Sequence, residues 1–248
     1  METDARGAFF FRRVMKRTSV HLVRKFLVVF LIIGIIMVSF LAYRYNLLPE
    51  KYYSLADFGY GEAVSRCDFD RDGIDDYHDL LIGAKKDAAN KPEYDSAYYA
   101  GGYPPEDRGS CTDVIWRAFR EAGYSLRDMV DKDIRDYPDD YPGVVSRDRN
   151  IDFRRVVNLQ IFFEKYAVSL TTDVNNTEAW QPGDIVIFNG GTHIGIVSDK
   201  RNKKGRPYII HNAGQPVRDE DYLKRGIVYA HFRWDNSRLS EDVAVSWN

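Results

Sequence analysis

Cys111, His193 and His211 have the types and the chain order of a thiol-dependent catalyst. A thiol becomes a strong nucleophile when a base takes its proton and a third group orients that base. Cys111 follows Ser110, and apolar residues recur at 111, 114, 115, 118, 119 and 122, the spacing of a helix with one buried face that Gly123 stops. Ser110 with Asp113 three residues later has the Ser-x-x-acid form of a capping box. Cys111 is therefore expected as the first helical residue, where free N–H groups and the helix dipole favour a thiolate. From this we expect a lowered thiol pKa and preferential alkylation of Cys111 at mildly acidic pH.

The elements that carry the histidines follow from turn signals. Trp180-Gln181-Pro182-Gly183-Asp184 reads as a turn before a strand over 185–188, and Asn189-Gly190-Gly191 as a second turn before a strand over 193–198. A basic loop over 199–206 leads to a strand over 208–212, so the two segments form an antiparallel hairpin with both histidines at the same end. A register with His193 directly opposite His211 lets His193 take the thiol proton while His211 holds its imidazole in one tautomer. A slip of one residue sends them to opposite faces. The competing readings are ordinary: a buried helical cysteine as a small core residue, a disulfide between Cys67 and Cys111, and Asn212 or a neighbouring carbonyl as the orienting group. His21, His78 and His231 are read as structural.

At these residues the chain resembles the NlpC-type cell-wall peptidases, a papain-like group, and most closely a bacterial family of uncharacterised proteins related to them. The likeness spans roughly residues 94–234. It rests on Tyr98-Tyr99-Ala100-Gly101-Gly102-Tyr103-Pro104, the Cys111 helix, Gln181-Pro182-Gly183-Asp184 before a strand, His193-Ile194-Gly195-Ile196-Val197, and Ile210-His211. The resemblance implies an α+β, papain-like NlpC-type fold in which the nucleophile helix packs on an antiparallel sheet. It also implies that Cys111 attacks an amide, that His193 is the base, that His211 is the third polar residue, and that Tyr98 lies beside the nucleophile. The family usually has Asp-Cys-Ser-Gly where this chain has Ser110-Cys111-Thr112-Asp113, so its recognition of the amino end of a peptidoglycan stem peptide is not carried over. Asp113 either completes the cap or contacts substrate; Arg154 and Arg155 are candidates for binding a substrate carboxylate, or form a solvated helix face.

Residues 26–43 carry no charge and are long enough to cross most of a bilayer core of roughly 30 Å. Arg6, Arg12, Arg13, Lys16, Arg17, Arg24 and Lys25 precede them, against mainly Arg44 and Lys51 beyond, which sets the amino terminus in the cytoplasm and the rest outside. A cleavable signal peptide is the alternative. The expected organisation is a basic cytoplasmic tail (1–25), a single-pass membrane anchor (26–43), a linker (44–66), a calcium loop and helix (67–90), and a cysteine hydrolase domain (91–248). Residues 131–150 read as an irregular insertion able to roof the cleft, before a helix over 156–166. A net charge of −2 offers no nucleic-acid surface.

Residues 68–79 place carboxylates at loop positions 1, 3, 5, 9 and 12, namely Asp68, Asp70, Asp72, Asp76 and Asp79, with Gly73 at position 6 and the Ile74 carbonyl at 7. That is the spacing of a Ca²⁺ loop, since a hard cation takes six to eight oxygens and the glycine permits the sharp turn. It resembles dockerin and thrombospondin calcium loops; the plain alternative is a solvated acidic linker. Ca²⁺ is expected to be structural, with no cofactor needed for catalysis. The expected activity is cysteine-dependent hydrolysis of an amide, in cell-wall peptides, at the outer face of the membrane. The alternatives are a thiol acyltransferase or lipid or thioester hydrolase, and a non-catalytic wall-binding module.

Overall fold

A computed structural model describes residues 4–247, with side chains from His21 onward. Residues 1–3 of the expected cytoplasmic tail, and the side chains of its basic residues up to Arg17, lie outside what is described. The chain divides into two units, Met1–Leu48 and Pro49–Asn248. The first is one helix, α1 (Asp4–Arg44), which extends beyond the apolar run in both directions. Its segment His21–Arg44 is long and apolar enough to cross a membrane.

The second unit is α+β. Its helices are α2 (Asp76–Asn90), α3 (Cys111–Glu121), α4 (Leu126–Asp136) and α5 (Val156–Tyr166). A parallel pair, β1 (Glu93–Tyr94) and β2 (Arg108–Gly109), precedes α3. The main sheet comprises β3 (Val168–Ser169), β4 (Ile185–Phe188), β5 (His193–Arg201), β6 (Pro207–Ile210), β7 (Asp219–Glu220) and β8 (Val228–Arg233), in the order β3-β8-β4-β5-β6-β7, every neighbour antiparallel. Two expectations change. The linker and the acidic loop belong to the same compact unit as the rest, because α2 sends Leu80, Leu81 and Ala84 into the core that holds α3. Within the expected insertion over 131–150, residues up to 136 are helical: Leu126, Met129, Val130 and Ile134 form a buried stripe along α4, which its dense charges hid.

Alternation along the strands explains where the core sits. Ile185, Ile187, Ile194, Ile196 and Ile210 face α3, meeting Val114, Ile115 and Phe119, while Val186, Phe188, Val197 and Ile209 face a smaller cluster with Trp180 and Tyr222. The turn residues Asn189, Gly190 and Gly191 all have positive φ, as the tight link between β4 and β5 requires.

The register of β5 on β6 differs from expectation. Ile196 pairs with Ile210 and Val197 with Ile209, so His211 falls opposite Gly195, two residues along from His193. A two-residue offset keeps both histidines on one face and makes them diagonal neighbours. Gly195 is what makes the offset possible. A Cβ there would lie 2.7 Å from Ile209 Cγ2, 2.8 Å from the Ile210 carbonyl oxygen and 3.1 Å from His211 Cβ. We expect Gly195→Ala to destabilise the protein by about 1–3 kcal/mol through this overpacking, measured by denaturant titration.

Candidate active site

The cysteine helix is held at its first turn by one carboxylate. Ser110 and Asp113 form the expected capping box, in which the Ser110 N–H donates to Asp113 Oδ2 at 2.6 Å. The same carboxylate accepts from the Trp116 indole at 2.7 Å and from Arg154 Nε and Nη2 at 2.8 and 2.9 Å. Asp113 therefore completes the cap and, fully buried, presents nothing to a substrate. Arg154, expected to bind a substrate carboxylate, is buried too; it spends its guanidinium on Asp113 and on the Ala97 carbonyl at 2.7 Å. Arg155 is exposed at the start of α5, and Tyr98 is exposed with its hydroxyl taking a hydrogen bond from Asn150 Nδ2 at 3.1 Å.

Cys111 stands at the first position of α3, and both cysteines are free. The backbone N–H groups of Ile194, next to His193 on β5, and of Thr112 favour the Cys111 thiolate. Asn212 is no orienting group. It ties the end of β6 to the segment leading into α3, donating to the carbonyls of Gly109 at 2.9 Å and Pro92 at 3.2 Å.

His193 Nε2 lies 2.9 Å from His211 Nδ1, and His211 Nε2 lies 2.9 Å from Glu220 Oε1, which also takes a hydrogen bond from Arg225. The Glu220 carboxylate can only accept when ionised, so His211 carries its proton on Nε2 and offers the Nδ1 lone pair. With His193 donating to that lone pair, which Gln215 Nε2 also approaches at 3.2 Å, the Nδ1 of His193 is left open. That nitrogen has no protein partner among the described residues, and no direct sulfur–imidazole hydrogen bond is present among them. Glu220 and Arg225 carried no sequence signal: β7 has two residues and no period to read.

Burial sets the protonation states. It holds His193 and His211 down at about 3, helped by His211 and Arg225 acting on the first and by Arg225 and Arg218 acting on the second. It pushes Glu220 up to about 7 against the pull of Arg225. It also pushes the Cys111 thiol up to about 11, against the N–H groups of Ile194 and Thr112. The expected lowered thiol pKa is thus reversed. The helix start does supply N–H donors, but desolvation of a residue only 9 % exposed outweighs them. Thiol and imidazole both rest neutral at physiological pH.

The remaining site candidates separate. Asp68, Asp70 and Asp72 converge, each offering an oxygen within 4.8 Å of the others. Asp76 leaves the expected ligand set: fully buried, it accepts from the Phe69 N–H at 2.9 Å and from the Tyr124 hydroxyl at 2.6 Å. Ile74 is exposed with its N–H on Asp72 Oδ1, and Asp79 is buried. His231, expected to be structural, stacks on Trp180 and is bonded to Asp184 and to the Thr171 carbonyl.

Residues 81–234 match a family model described as "Domain of unknown function (DUF1287)". The chain is 36% identical over 165 residues to "Uncharacterized protein YijF" of Escherichia coli (strain K12), an alignment covering 62% of this chain and 80% of that protein. No solved structure matches.

Two expectations follow from the protonation states. Iodoacetamide modification of Cys111, followed by peptide mapping, should accelerate steadily as pH rises from about 6 to about 10; a plateau of fast alkylation at mildly acidic pH would show a thiolate–imidazolium pair instead. Both histidine values lie below the ordinary 6.5, so the folded protein binds fewer protons than the unfolded one between 6.5 and about 3. Their contribution to stability is full above 6.5 and is lost as pH falls toward 3. Glu220 acts in the opposite sense, its contribution lost as pH rises from 4.5 through about 7. His211→Asn should therefore lose less stability than the parent between pH about 6.5 and about 4.5, read from thermal melts.

Proposed function

The chain belongs to the DUF1287 family, and from that premise we propose that it is a membrane-anchored cysteine hydrolase that cleaves amide bonds. The observation that carries the reading is the unbroken line from Glu220 through His211 to His193, whose Nδ1 is left open next to Ile194, the strand residue whose N–H favours the Cys111 thiolate.

In the proposed reaction the Cys111 sulfur attacks the carbonyl carbon as its proton passes to His193 Nδ1. The imidazolium that forms is stabilised through His211 by ionised Glu220. The Cys111 backbone N–H at the start of α3 is a candidate donor to the developing oxyanion. His193 returns the proton to the leaving amine, which departs as the C–N bond breaks and a thioester remains. Water, deprotonated by His193, then attacks the thioester; the carboxylic acid leaves and the thiol is restored. No metal enters this chemistry. A resting neutral pair suits it, since the base is unprotonated whenever substrate arrives.

The resemblance at Tyr98-Tyr99-Ala100-Gly101-Gly102, Cys111 and His193-Ile194-Gly195-Ile196 supports an NlpC-type, papain-like fold and a cell-wall peptide substrate. The apolar span within α1, with its excess of basic residues on the amino side, supports a single-pass anchor with a cytoplasmic amino terminus and an outward-facing hydrolase unit.

Incubating the full chain in detergent micelles with purified peptidoglycan and reading fragments by mass spectrometry tests the proposal. New amine and carboxyl ends are expected, abolished by Cys111→Ala and lowered about 10²–10⁴-fold by His193→Ala. His211→Asn should keep measurable turnover, because an amide can still orient the imidazole. The rate should rise through pH about 7 as Glu220 ionises, a rise that Glu220→Gln should remove. Fragments released equally by Cys111→Ala would sink the proposal, and acyl transfer to an amine without uptake of water would replace hydrolysis.

A further inference from the structure

We infer that the loop over residues 68–79 is a site for one Ca²⁺ ion held by Asp68, Asp70, Asp72 and Asp79, with Asp76 serving as a protein-bonded anchor beneath it. This inference stands apart from the catalytic reading, since none of these residues touches Cys111, His193 or His211 among the described contacts.

Three exposed carboxylates already converge there. By themselves they are an acidic cluster of the kind common on surfaces. Asp79 is different. It lies in the first turn of α2, is 1 % exposed, and neither of its carboxylate oxygens has a hydrogen-bond partner among the described residues. A carboxylate taken out of water with nothing to bond costs several kcal/mol unless a proton or a cation meets it. The charged side chains that act on it are Asp72 and Asp70, then Glu121 and Asp76, all acids and none basic. Three converging acids with a fourth buried close by are mutually repulsive; a divalent ion on the trio would remove the repulsion and offer the Asp79 oxygens a partner.

The chemistry of the donors selects the ion. All are oxygens, from at least four carboxylates and the Ile74 carbonyl, on a twelve-residue loop, which suits Ca²⁺ with its six to eight flexible contacts better than Mg²⁺ with its strict octahedron. Asp76 bears no part in coordination. Its oxygens hold Phe69 and Tyr124, whose rings stack at 4.1 Å, and so fasten the loop to the chain just after α3. Gly123 lets that chain pass, since a Cβ there would come within 2.6 Å of Asp70 Cβ. The ion would therefore brace the start of α2 against the end of the cysteine helix.

The test is calorimetric titration of CaCl₂ into the chelator-treated full chain in detergent, with thermal melts alongside. One ion per chain is expected, with Kd of about 10⁻⁵–10⁻³ M and a raised melting temperature. Asp79→Asn, and separately the exposed pair Asp70→Asn with Asp72→Asn, should weaken binding at least ~10-fold, while Asp139→Asn, an exposed acid on another loop, should leave it within about twofold. The absence of both heat and stabilisation up to ~10 mM Ca²⁺ would overturn the inference. So would parental affinity in the Asp70, Asp72 double variant, or tighter binding of Mg²⁺ than of Ca²⁺.

Discussion

The structure turns on the Asp113 carboxylate. It receives the Ser110 N–H and hydroxyl, the Trp116 indole and two guanidinium N–H groups of Arg154, all within 3.0 Å. These partners come from the segment before α3, from α3 itself, and from a loop 41 residues further on. Removing one member of a buried pair like Asp113–Arg154 leaves the other charge stranded, at a typical expense of 3–5 kcal/mol. Cys111 thus owes its place to a buried ion pair two residues away.

From that fixed point, two opposing influences decide the state of the thiol. The helix start favours a thiolate, and burial opposes one; burial prevails. The same burial strips His193 and His211 of charge, and Glu220, itself raised, arranges their remaining protons in a single direction. The site is thereby prepared by tautomer and not by charge separation. Arg225 and Arg218 add to this by disfavouring an imidazolium at His211, and Arg225 also bonds the Glu220 carboxylate behind it.

Local sequence carried much of this arrangement. The capped helix at Cys111, the strands on either side of Asn189-Gly190-Gly191 and the helix over 156–166 follow from period and turn chemistry, and each lies where those signals place it. The parts not legible depend on partners distant in the chain. Arg154 looked like a solvated or substrate-binding residue because nothing near it names Asp113. Glu220 sits in a strand too short to show alternation. The thiol pKa was misjudged because a helix start is a local property and desolvation is not. Asp76 fitted the loop spacing, yet Tyr124, 48 residues away, claims it.

The two-residue offset between β5 and β6 has a wider meaning. Odd-numbered positions of β5 carry His193, Gly195 and Val197, and even-numbered ones carry Ile194 and Ile196 toward α3. A slip by a single residue would turn the isoleucines out of the core at the same stroke that it parted the histidines, and it would press a side chain against Ile209 in place of Gly195. Such a slip would cost core packing and the His193–His211 contact together. Sheet stability and the meeting of the two imidazoles are therefore set by one and the same register, and whatever loosens the first parts the second.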